Sequence, residues 1–329
     1  DKLVHYGRHF GRTVLTFCDT TALVHQGVAR EEQMSRNGVK VAHLVESERK
    51  KHEAFRTLLN MCPHLLNERL FAMARTEDDL DYVAEKLSKG ISDARLNDLK
   101  TLKMSIVDWI TPPGGVLTPS LLRNSKVGRG FHHQATGKLL CPTDYDWANP
   151  NVQARLRSGE LAVTGLQWPL FLWVGSKCKE DDLWDGFMRS RLLLQAYKHI
   201  FTSPSSVDGD CKSNRSGNAG IHGMTSVTVP SLVYVATLVC FSLSDAGTWS
   251  RNDTQLDSNR FYHSLLSFLD RDEEHHFVKD LLTWWNSQVF PGQATIGSAS
   301  VPETCALAKM TAKRQALSQT SRDNVDTTS

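Results

Sequence analysis

Val229-Pro-Ser-Leu-Val-Tyr-Val-Ala-Thr-Leu-Val-Cys-Phe-Ser-Leu-Ser244 belongs to the longest apolar run of the chain, Val227 to Leu243. Pro230, Thr237 and Ser242 interrupt that run, and it falls short of the roughly 20 residues a membrane span needs. Pro230 stands where a first helical turn tolerates a missing N–H donor. The stretch therefore reads as a helix buried in a protein core, and no membrane association is expected.

Helical periodicity spreads outward from this run in both directions, while alternating strand-like stretches with hairpin turns are nearly absent. The expected fold is all-α, with little or no β-sheet and with long ordered irregular loops. Upstream, Asp182 to Phe201 carries apolar residues around most of its circumference and predicts the central, most heavily buried helix of the fold. On its wheel Arg191 falls between Trp184 and Met188 and would need a carboxylate or carbonyl partner. Downstream, Asp257 to Leu269 and Asp272 to Phe290 predict two more helices. The latter bears an arc of Phe277, Leu281, Trp284 and Trp285 that needs a cover. In the N-terminal half, helices are predicted at the first segment, at Glu46 to Met61, at Leu65 to Ala74, from Thr76 to a stop at Gly90, and from Ser92 to Ile110. In the first segment Tyr6, Phe10, Val14, Phe17 and Cys18 share one arc, with Gly7 and Gly11 at its edge allowing a close helix approach. His5, Arg8, His9 and Arg12 lie opposite and read as a solvated face, with an anion contact as the alternative. From Val116 to Lys179 the helical signal weakens, apart from a short helix near Asn151 to Arg157 opened by Asn149-Pro150. Trp147, Trp168, Phe171 and Trp173 should pin that stretch to the core.

A chain of 329 residues with 40% hydrophobic content, 8 Trp and 13 Phe holds enough apolar material to fold without staples. The organisation expected is one helical domain over 1–291, with an N-terminal half to about 115 and a loop-rich half beyond it. Residues 292–329 carry no aromatic residue and read as a disordered tail. The formal charge of +2 is too mild to mark a nucleic-acid protein by itself. Seven cysteines, an odd number without a C-x-x-C pair, fit reduced thiols in an intracellular protein, cytoplasmic or nuclear. The chain begins at Asp1 and reads as a fragment or a processed product.

Two glycine-rich segments lack acids altogether, Arg123 to Lys138 and Lys212 to Met224. They offer Arg123, Lys126, Arg129, His132, His133 and Lys138 in the first, and Lys212, Arg215 and His222 in the second. Arg forks, imidazoles and backbone N–H groups freed by glycine are the chemistry of an anion or nucleic-acid contact. The same side chains also suit a structural task, satisfying carbonyls where an irregular loop crosses helix C-termini. Neither loop matches a phosphate-binding or dinucleotide fingerprint, no nucleophile elbow is present, and no metal-ligand spacing stands out. No metal or cofactor is expected.

Gly7-Arg-His-Phe-Gly-Arg-Thr13, Asp108-Trp-Ile-Thr-Pro112, Arg129-Gly-Phe-His132, Leu156-Arg-Ser-Gly-Glu160, Gln167-Trp-Pro169, Phe201-Thr-Ser-Pro-Ser205, Arg215-Ser-Gly-Asn218, Ile221-His-Gly-Met-Thr225 and Trp284-Trp-Asn286 together carry a resemblance. Over about residues 5 to 291 the chain resembles an uncharacterised family, a domain of unknown function numerous in mushroom-forming basidiomycete fungi. The resemblance implies one unit over that range and transfers no activity, substrate or catalytic residue. The multi-copy habit of such families favours an interaction or nucleic-acid role. The function expected is thus a non-enzymatic binding or interaction protein with a basic loop surface, whose partner is nucleic acid or another protein. The alternative is an enzyme acting on a phosphate-containing substrate such as nucleic acid, with Arg129, His132, Arg215 and His222 near its site.

Overall fold

A computed structural model of the chain describes residues 1–37, 41–62, 70–72, 76–203, 217–247, 249 and 257–291. The fold is all-α. Among the described residues the only β-type pairings are isolated bridges, Pro142 with Pro169, Trp173 with Phe187 and Lys179 with Asp182. Asp1–Val289 form one compact unit. The expected tail, 292–329, lies outside the described residues, as does most of the helix expected at Leu65 to Ala74. No described helix is long and apolar enough to cross a membrane.

In chain order the helices are α1 (Lys2–Thr13), α2 (Thr20–Asn37), α3 (Glu46–Met61), α4 (Glu77–Ile110), α5 (Gln134–Leu140), α6 (Pro150–Ser158), α7 (Arg191–Phe201), α8 (Asn218–Ile221), α9 (Val229–Leu243), α10 (Ser258–Leu269) and α11 (His275–Val289). Every residue of α9 from Ser231 to Leu243 is buried, and α1, α4, α5, α7 and α10 pack around it. A Thr228–Ser231 capping box opens α9, with Pro230 in its first turn. The apolar run, and not the Asp182 to Phe201 stretch expected at the centre, thus becomes the central post of the molecule.

Helix α4 departs from the sequence expectation. Gly90 does not end a helix there, because Glu77 to Ile110 form one continuous helix of 34 residues, about 51 Å long. Thr76 and Asp79 close its first turn as a capping box. Gly90 is the point at which α1 crosses α4: a β-carbon at Gly90 would strike the backbone carbonyl of Val4, and one at Gly7 would lie 2.6 Å from the Leu87 carbonyl. The missing side chains let two backbones touch, and that contact outweighs the helix penalty of about 1 kcal/mol that glycine carries. Gly11 seats Ile91 in the same seam.

The helix expected at Asp182 to Phe201 starts only at Arg191, capped by the Ser190 hydroxyl. Gly186 and Met188 adopt left-handed backbone angles, φ 75° and 55°, which a helix cannot accommodate. Residues 182–190 are instead an irregular strap held by aromatic contacts, Trp168 on Phe187 at 5.2 Å and Trp184 on Phe277 at 5.0 Å. Shortening the helix also moves Arg191 to an exposed position, so it needs no buried partner. Trp147, Phe171 and Trp173 are buried as expected. Helix α2, which the apolar pattern did not single out, lies against α4 and α3.

Candidate functional site

The first acid-free loop meets the C-terminal end of α9. That helix has no basic residue in its last turn, so its carbonyls and the negative end of its dipole need cations from elsewhere. Arg129 is 1% exposed and donates from Nη1 to the Ser242 carbonyl at 2.8 Å. Its Nη2 donates to the carbonyls of Lys103 at 2.9 Å and Leu122 at 3.0 Å. Burial lowers the pKa of this guanidinium; no carboxylate faces it in these bonds, and the converging carbonyl dipoles offset its charge. The Lys126 ammonium donates to the Ala246 carbonyl at 2.6 Å and to the Ser244 hydroxyl, and lies 3.3 Å from the centre of the Phe241 ring. His133 is buried too, accepting from the Ala135 N–H at the start of α5 and reaching the Pro119 carbonyl at 2.8 Å. Gly137, expected to bare its backbone to an anion, is covered by the Trp147 ring.

Arg123, His132 and Lys138 remain exposed. The loop has no acid of its own, yet the fold brings two to it: Asp108 pairs with Arg123, and Asp245 lies 3.5 Å from His132. The expectation of cations free of acidic competition is corrected there, since Asp108 in the last turn of α4 and Asp245 just after α9 fold back onto the loop. His132 and Asp245 line a cavity of about 270 Å³ with Arg157 and Phe131. In the second loop, Lys212 and Arg215 lie outside the described residues. His222 does not join the first loop; its ring lies between His5 at 4.2 Å and His9 at 4.3 Å, both stacked.

This imidazole stack covers a polar cluster that the sequence placed in solvent. Arg12 is 5% exposed and forms a two-bond pair with Asp98, Nε to Oδ2 at 2.7 Å and Nη2 to Oδ1 at 2.8 Å. The Tyr234 hydroxyl donates to Asp98 at 2.7 Å, and Asn218 accepts from Arg12 at 3.3 Å. Burial opposes the Arg12 charge, but the hydrogen bond and field of Asp98 more than restore it. The rings above show the reverse effect. Burial, followed by the charges of neighbouring His9, His5 and Arg12, lowers the His222 pKa to about 3. Burial, followed by Arg12 and His5, lowers that of His9 to about 4.

Both imidazoles are therefore neutral in the folded protein and take up protons on unfolding at mildly acidic pH. Their contribution to stability is full above about pH 6.5, the unfolded value, and is lost as pH falls toward 4 and then 3. His222→Phe keeps a stacking ring and removes one titrating group. Its melting temperature should fall less between pH 6.5 and 4.5 than that of the wild type in matched thermal scans; parallel curves would refute the assignment.

An apolar groove of about 650 Å³ lies elsewhere, among the α1–α2 connection, α2, α3 and α10. Val14, Leu15, Phe17, Leu23, Ala54 and Leu266 give it an apolar lining, with Val229 and Pro230 at the start of α9 closing one side. Its charged residues balance, Asp19, Glu53 and Asp270 against Arg30, Lys50 and Lys51. Lys50 bonds Asp270 at 2.7 Å and Glu46 at 2.9 Å, linking α3 to the end of α10. Nothing in the sequence pattern pointed to this groove, because its walls come from four segments far apart in the chain. Among the described residues no group of three or more His, Cys, Asp or Glu is placed to hold a metal ion.

No curated protein and no solved structure matches the chain. A family model, described as a family of unknown function, matches residues 89–290. That stretch begins inside α4 and takes in Asp98, Asn218, His222 and Tyr234, while Arg12, the partner of Asp98, comes from α1 outside it. With more than half of its length matched, the chain belongs to the family of unknown function DUF6698.

Proposed function

We propose that this protein is a non-enzymatic binding protein that holds a small, uncharged, mostly apolar molecule in the groove among the α1–α2 connection, α2, α3 and α10. The observation that carries this reading is the groove itself, about 650 Å³ with an apolar lining. That volume falls within the roughly 300–1,000 Å³ typical of small-molecule sites. Equal numbers of acidic and basic residues around it leave no net field to favour a charged ligand. Phe17 supplies an aromatic wall, and Gln26 and Thr57 supply hydrogen-bonding groups that would orient a ligand.

The basic loops support a nucleic-acid role less well. Arg129, Lys126 and His133 are engaged with the protein's own backbone, and two of the three exposed residues of the first loop face carboxylates. Nothing in the comparisons supports the alternative of an enzyme acting on phosphate-containing substrates.

The test is titration with a neutral solvatochromic dye such as Nile red. Micromolar binding is expected, together with its loss in Ser267→Trp, which fills the groove from an exposed position on α10. The variant should melt close to the wild type, because exposed substitutions usually change stability by less than about 0.5 kcal/mol. Equal dye affinity in the variant would overturn the assignment.

A further inference from the structure

Opposite in character to the basic loops is a face built by the strap before α7 and by α11. Phe277 and Trp284 lie two turns apart on one side of α11. Trp184 stacks on Phe277 at 5.0 Å and donates from its indole N–H to Glu274 at 2.9 Å. Arg189 lies against the Trp284 ring, and Leu183 stands 59% exposed beside Trp184. Phe277 is itself 45% exposed. Large aromatic side chains left partly in water and held in place by neighbours are the usual anchors of protein interfaces.

The surroundings of these rings are acidic. Residues 177–189 and 271–280 together carry eight carboxylates against five Lys or Arg, in a chain whose net charge is +2. Glu180, Asp181, Asp272 and Glu273 are exposed, while Lys179 pairs with Asp185. An apolar centre within an acidic rim favours a partner of complementary pattern.

We propose that the Leu183–Trp184–Phe277–Trp284 face docks a basic amphipathic segment of another protein, one whose apolar stripe seats on the rings while its Lys and Arg side chains meet the rim. The apolar centre supplies the affinity, and the carboxylates supply orientation, partner choice and speed of association. This surface is separate from the groove, so failure of either assignment leaves the other standing.

The experiment uses the full chain and a fluorescently labelled amphipathic peptide of Leu and Lys, with its Leu and Glu counterpart as the control. The Lys peptide is expected to bind in the micromolar range and to weaken as salt is added. Phe277→Ser and Leu183→Ser should each lower its affinity by about tenfold. Leu183 is the more exposed of the two, so Leu183→Ser should do so with an unchanged melting temperature. Equal binding of the Glu peptide, or unchanged affinity in both variants, would overturn the proposal. So would a concentration-dependent dimer in sedimentation that both variants abolish, since the occupant would then be a second copy of the chain.

Discussion

Arg129→Ala is expected to lower the melting temperature by about 6–12 °C, the equivalent of about 3 kcal/mol or more for a domain of this size. The guanidinium joins three separate pieces of chain, the end of α9 through Ser242, the middle of α4 through Lys103, and its own loop through Leu122. Truncation removes charge-assisted bonds and leaves the buried Ser242 carbonyl without this donor at the negative end of the central helix. Arg129→Lys should recover only part of the loss, because an ammonium cannot reproduce a planar fork aimed at several acceptors. Lys138→Ala, at an exposed site on α5, should melt within about 1–2 °C of the wild type. Thermal unfolding followed by circular dichroism separates these variants. An Arg129→Ala protein that melts normally would return this residue to the surface role that its sequence context suggested.

Arg12→Met is expected to cost more, about 3–5 kcal/mol, because it leaves the Asp98 carboxylate buried without its cation. Asp98 accepts three bonds in the structure, two from Arg12 and one from Tyr234. Losing Arg12 removes two of them and the cation that makes them. Asp98→Leu should be costly for the converse reason. The triple variant Arg12→Met, Asp98→Leu, Tyr234→Phe should regain much of the loss, since replacing a buried ion pair by apolar residues of similar volume is often near neutral. Chemical denaturation of the single and triple variants tests this non-additivity. Losses that simply add would show that the three residues do not act as one buried unit.

These two arginines show how far the sequence could be read. Both sat in segments rich in His, Arg and Gly, and local composition made both candidates for solvent or for an anion. For Arg129 one reading available from the sequence, carbonyls at a helix C-terminus, matches the bonds observed. For Arg12 the solvated reading fails, because its partner lies 86 residues away on α4 and no spacing rule connects them. The same limit applied to Gly90, whose local signal is that of a helix stop. Only the arrival of Gly7 from another helix explains why the chain continues through it. His222 likewise reads as part of a cationic loop until α1 places two further imidazoles against it.

What the sequence by itself determined is the class of fold and the burial of the helix at Val229 to Ser244, while it set the centre of the fold at Asp182 to Phe201. Periodicity and apolar content act over a few turns and need no knowledge of the rest of the chain. The starts read at Thr76 and at Asn149-Pro150 are helix starts in the structure for the same reason. The tertiary structure decided which charges are buried, which acids answer which bases, and where the concave surface lies. Those properties depend on pairs of residues brought together from distant segments. The free energy of a charge is set by whatever surrounds it in space, and the order of residues along the chain does not record that.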